Sequence, residues 1–105
     1  MNFKELGENL GLEEEEYLEL LELFVDTSAS DLERLRTAIT LGDLDQATKA
    51  AHSLKGAAGN LGLTELFETA KKVEMDARDN RLERITESVS ELEGRLDMLA
   101  GCARG

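Results

Sequence analysis

The chain has no proline and no tryptophan, and only one histidine and one cysteine in 105 residues. Without proline, nothing in it removes a helical amide and clashes with the preceding turn, so long helices are permitted. With aromatics at 4%, the interior has to be filled by Leu, Ile, Val and Ala. A single cysteine, Cys102, cannot close an internal disulfide, which favours a reducing, cytoplasmic setting. No apolar run approaches the roughly 18 residues of a membrane span, and Met1-Asn2-Phe3-Lys4 lacks the basic-then-apolar order of a signal peptide.

Positive charge is also scarce, with 12 Lys and Arg against 23 Asp and Glu and a formal net charge of -11. Nucleic acid is therefore excluded as a partner, since phosphate binding wants the opposite sign. One histidine and one distant cysteine do not make a metal site. The acidic run Glu13–Glu16 has neither the ligand spacing nor the turn glycine of a calcium loop. A cysteine–histidine hydrolase is excluded as well, because Cys102 falls in a tail expected to fray.

Helical periodicity runs throughout, and no alternating strand pattern appears. Asn2 is placed to cap a short first helix ending near Gly11. A second helix starts at Leu12 or Glu13, where four consecutive glutamates suit a helix N-terminus. Its apolar stripe is Tyr17, Leu21, Phe24 with Val25, Leu32, Leu35 and Ile39, and Gly42 stops it. Ser30-Asp31-Leu32-Glu33 fits a capping box that would break this helix near Thr27–Ser30; the unbroken stripe favours one long helix. Asp43 caps a third helix closing around Leu61-Gly62, and Thr64 is the expected cap of a fourth, whose inner stripe is Leu66, Ala70, Val73 and Ala77. Asn80 marks a turn. A fifth helix repeats Leu82, Ile85, Val89, Leu92, Leu96 and Leu99, with Gly94 off the stripe and facing solvent. Short connections force antiparallel neighbours. The expected fold is all-α, an up-and-down antiparallel four-helix bundle with a short additional N-terminal helix laid across it, formed as a single domain over residues 1–105 and as a monomer.

The chemistry centres on His52, the only histidine. At about 100° per residue, Leu44, Ala47, Ala51, Leu54, Ala58 and Leu61 form the core stripe of the third helix. His52, Lys55, Gly56 and Gly59 cluster about 130° away, so the histidine is expected at the surface. Two glycines inside a helix each cost roughly 1 kcal/mol against alanine; beside a histidine they keep a path open for another protein's reactive group. A neutral imidazole can attack phosphorus and hold it as a labile phosphoramidate. Lys55, one turn on, would offset the charge of a transferred phosphoryl group. From Asp43 to Arg78 six acids face five bases, so that segment carries a net -1 and the remaining -10 lies outside it. The histidine thus sits in the least acidic part of the chain.

Ala51-His52-Ser53-Leu54-Lys55-Gly56-Ala57-Ala58-Gly59-Asn60-Leu61-Gly62 resembles the phosphoacceptor motif of histidine-containing phosphotransfer (HPt) domains, the carriers of two-component phosphorelays. The likeness runs on through Leu63–Glu74, so it covers Asp43 to about Arg78, with the flanking helices similar in pattern alone. It implies that His52 takes a phosphoryl group from the aspartyl phosphate of a receiver domain and passes it to another receiver. It implies Lys55 as the phosphate-steadying residue, Gly56 as the position that must stay small, and Arg78 as a second basic residue near the phosphate. The expected partners are response-regulator receiver domains or a hybrid histidine kinase. No cofactor is expected on this chain, since the receiver partner would supply the acidic pocket and the magnesium ion. Two alternatives stay open: the phosphoacceptor module of a chemotaxis-type histidine kinase, and a non-catalytic helical adaptor. Leu20 and Leu23 fall off the stripe of the second helix. Unless Phe3, Leu6 and Leu10 cover them, they form an exposed apolar patch where a receiver would dock.

Overall fold

Each helix starts and stops for a local chemical reason. The computed structural model describes residues 2–103, except for the side chain of Leu82. Helix α1 spans Phe3–Asn9, with the Asn2 side chain accepting the Glu5 amide at 3.0 Å. Helix α2 spans Glu14–Thr40 and opens on a reciprocal capping box between Glu13 and Glu16. Helix α3 spans Leu44–Asn60, capped by Asp43, whose carboxylate accepts the Gln46 amide at 3.1 Å. Helices α4 (Thr64–Arg78) and α5 (Leu82–Ala103) follow.

All four connections are built alike. In each, a residue with positive φ follows the helix: Gly11, Gly42, Gly62 and Asn80. The next amide reaches back to a carbonyl five residues earlier: Leu12 to Gly7, Asp43 to Ala38, Leu63 to Ala58 and Arg81 to Asp76, all at 2.8–3.0 Å. This is the Schellman closure, and Asn is the usual substitute for glycine at its left-handed position. Repeating it gives turns of only a few residues, which fold α2 to α5 antiparallel. The turn pattern also corrects one expectation. Thr64 does not cap α4, because Leu63 ends the preceding turn, is buried, and is itself the residue before the helix, with no side-chain cap.

Helix α2 is continuous. The hydroxyls of Thr27 and Ser28 turn back onto the carbonyls of Leu23 and Val25, both at 3.0 Å, so neither competes with the helix at the point where a break was conceivable. The core joins Tyr17, Leu21 and Leu35 of α2, Leu54 of α3, Leu66 and Val73 of α4, and Ile85, Leu92 and Leu99 of α5. Of the expected stripes, Leu32, Ile39, Leu44 and Leu61 are only partly buried, and the side chain of Leu82 lies outside what is described. Gly94 is exposed. On α3 the buried face is mostly alanine (Ala47, Ala50, Ala51, Ala58), which lets α2 and α4 press closely against it on either side. Packing of α5 against both α4 and α2 closes the bundle.

Helix α1 lies against α2. The Phe3 and Tyr17 rings stand 6.2 Å apart, and the Tyr17 hydroxyl donates to the Leu61 carbonyl at 2.6 Å, stitching α2 to the end of α3. α1 therefore covers Tyr17 and leaves Leu20 and Leu23 exposed at 42% and 59%. Cys102 is not in a frayed tail; it lies exposed in the last turn of α5.

Candidate functional site

The site follows from the register between α3 and α4. A β-carbon built on Gly59 would lie 3.2 Å from Cδ2 of Phe67, so the Phe67 ring of α4 fits against α3 where glycine leaves room for it. Seven residues back along α3 from Gly59 is His52, and seven forward along α4 from Phe67 is Glu74. The antiparallel register keeps such pairs opposite each other, and His52 Nδ1 lies 2.7 Å from Glu74 Oε2. Gly59, expected with Gly56 to keep the approach to His52 open, also has a packing reason, since the Phe67 ring lies against it.

Glu74 is the residue that sequence reasoning did not single out. Its side chain is 4% exposed, and three donors converge on its carboxylate. Besides His52, Lys55 Nζ bonds Oε1 at 2.7 Å and Arg78 Nη2 stands 3.4 Å from Oε2. Burial works against ionisation, but the hydrogen bonds and charges of Lys55 and His52 outweigh it and hold the carboxyl below the usual carboxylate range. An ionised carboxylate can only accept. Nδ1 therefore carries its ring hydrogen, and in the neutral ring the lone pair belongs to Nε2. This tautomer is assigned from the hydrogen-bond partners. The His52 side chain is 68% exposed, and among the described residues no hydrogen-bonding partner occupies Nε2. The ring is thus anchored on its inner nitrogen and open on its outer one.

Gly56 is exposed, and a β-carbon there would meet nothing within 4 Å. Nothing inside the protein requires glycine at that position. Thr48, Lys49, His52, Ser53, Glu74 and Arg78 line one open groove. At the edge of this groove toward α2, Ser53 donates to Asp31 at 3.0 Å. Leu20 and Leu23 share that flank of α2 with Asp31 but lie two to three turns nearer its N-terminus. The structure thus gathers His52, Lys55, Glu74 and Arg78 into one site and sets Leu20 and Leu23 apart from it. Among the described residues no group of three His, Cys, Asp or Glu side chains is placed to hold a metal ion, and no helix is long and apolar enough to cross a membrane.

Comparison with known proteins agrees in sequence and in shape. The Hpt domain family matches residues 19–102. The crystal structure of histidine-containing phosphotransfer protein B (HptB) from Pseudomonas aeruginosa PAO1 is similar to this chain, with a TM-score of 0.86 and 28% identity over 99% of this chain and 90% of that one. A search of the curated proteins finds no match.

Proposed function

The chain belongs to the Hpt domain family and is a histidine phosphotransfer protein of a phosphorelay; from that premise we propose that His52 is its phosphoacceptor and Nε2 the atom that carries the phosphoryl group. The observation that supports this most is the pairing of an exposed ring with a buried, ionised Glu74 on its inner nitrogen. The donor is a receiver domain's aspartyl phosphate. The Nε2 lone pair attacks phosphorus, the P–N bond forms, and the acyl C–O–P linkage breaks at its O–P bond. The aspartate leaves as a carboxylate with the bonding electrons. The Nδ1 proton stays on the ring, which becomes cationic, and the ionised Glu74 beside it stabilises that charge as it develops. Return of the group to a second receiver runs the same step backwards.

Lys55 holds Glu74 in its ionised form, and Gly56 leaves the approach to Nε2 unobstructed. The receiver supplies the acidic pocket and the Mg²⁺ that neutralises the transferring group; this chain contributes the nucleophile. Docking falls to the exposed Leu20 and Leu23 on the flank of α2 facing α3. A receiver seated there and on Gly56 would cover the outer surface of α3 and bring its aspartate over the ring.

The test mixes the protein with a phosphorylated receiver and, separately, with an autokinase domain and ATP. Acid-labile, alkali-stable label is expected on the wild-type chain from the receiver, and none on His52→Gln. Label arriving from the autokinase alone would instead make the chain the acceptor module of a chemotaxis-type kinase. No label from either donor would leave a helical adaptor.

A further inference from the structure

The two lysines flanking His52 on α3 stand in different surroundings. Lys55, three residues after it, points into the site. Its ammonium bonds Glu74 Oε1 at 2.7 Å and its side chain is only 22% exposed. Lys49, three residues before it, is on the same face of the helix one turn away. Its side chain is 62% exposed, and its ammonium lies 3.5 Å from Asp45 Oδ2, a side chain that is itself 81% exposed. An exposed pair of that kind is held weakly.

The ring decides which cation meets the phosphoryl group. The two imidazole nitrogens direct their bonds widely apart. Nδ1 points at Glu74 on α4, so Nε2 points away from Glu74 and from the ammonium bound to it. Moving Lys55 to a group on Nε2 would strip a buried carboxylate of its closest cation, which is costly. Lys49 and Arg78 face no such conflict. Arg78 is 65% exposed and reaches Glu74 only at 3.4 Å. Both line the groove that contains His52, and Lys55 does not. That groove is wide open to solvent, which leaves room for a phosphoryl group on Nε2.

We infer that Lys49, assisted by Arg78, is the cation that binds the phosphoryl group on His52, and that Lys55 is a positioning residue acting through Glu74. The inference rests on His52 being the acceptor. It divides one expected role between two lysines: Lys49 acts on the phosphorylated state, and Lys55 on the ring before it reacts.

The experiment measures how phosphoryl label divides at equilibrium between a receiver and the full chain, for wild type, Lys49→Gln, Lys49→Arg and Lys55→Gln. Nitrogen NMR of the unphosphorylated ring is recorded on each protein. Lys49→Gln is expected to shift the division toward the receiver by about three- to tenfold, the range of one charge-assisted hydrogen bond at an exposed site. Its ring resonances should stay unchanged, and Lys49→Arg should restore the wild-type division. Lys55→Gln should alter the ring resonances, because Glu74 loses the bond that helps keep it ionised. If label resides on His52 and Lys49→Gln leaves the division unchanged, the assignment of Lys49 is overturned while the acceptor reading stands. If Lys55→Gln shifts the division with the ring signals intact, Lys55 is the phosphate ligand and the assignment is again overturned. If wild type takes no label on His52, both readings fall together.

Discussion

Gly56 and Gly59 lie on one face of α3, yet a methyl group added at each meets a different environment. At Gly56 it meets open space, whereas at Gly59 it presses on Phe67 at 3.2 Å. Gly56→Ala should therefore raise folding stability by about 0.5–1 kcal/mol, the ordinary helical preference for alanine, while slowing transfer from a receiver. Gly59→Ala should gain less stability or none, because Phe67 has to yield. Thermal unfolding together with a transfer time course checks this pair. A Gly56→Ala protein that transfers at the wild-type rate would remove the argument for access. At this scale the sequence is informative about His52, Lys55 and Gly56, which are neighbours along one helix and can be related by spacing alone. Glu74 lies 22 residues from His52 across a turn. Only the α3–α4 register shows that this glutamate, next to the stripe residue Val73, turns inward toward the histidine rather than outward to solvent.

Among the elements, α1 and α2 carry the proposed docking surface. Because α1 packs on Tyr17 through Phe3, it leaves Leu20 and Leu23 uncovered. Aspartate at either position should slow transfer, and because both side chains are already exposed, stability should change by no more than about 0.5 kcal/mol. Equal transfer rates for Leu23→Asp and wild type, with unfolding midpoints also equal, would remove this docking surface. The five helices, their antiparallel order and nearly all their bounds were legible from periodicity and capping residues. The exceptions have local causes. Thr64 has the right chemistry for a cap but follows a Schellman turn that already delivers Leu63 as the residue before the helix. Gly101 follows the last stripe residue of α5 where a stop would stand, yet the helix continues through it and Cys102 to Ala103.

For the molecule as a whole, the ion cluster around Glu74 links the site to folding. Its carboxyl is held below the usual carboxylate range in the folded protein. The stability it contributes is therefore present at neutral pH, above the unfolded value of about 4.3, and is lost as pH falls through the lower folded value. Replacement by Gln removes that linkage. Urea midpoints of wild type and Glu74→Gln should differ most near pH 7 and converge on acidification below about pH 4. A gap that stays constant down to pH 3 would show that Glu74 is not held ionised by its neighbours. Of the net charge of -11, only -1 falls in the Asp43–Arg78 segment that holds this cluster, so that stretch of chain adds little repulsion toward an acidic partner.

The role of Glu74 and the chemistry of His52 both turn on which ring nitrogen reacts. Phosphorylation of ¹⁵N-histidine-labelled protein, followed by phosphorus–nitrogen correlation NMR, reads this directly, since a single histidine gives a single spin system. One phosphoramidate is expected on His52, with phosphorus coupled to Nε2 and the hydrogen retained on Nδ1. Coupling to Nδ1, or a stable phosphoryl group on any other residue of the chain, would contradict the assignment of Nε2.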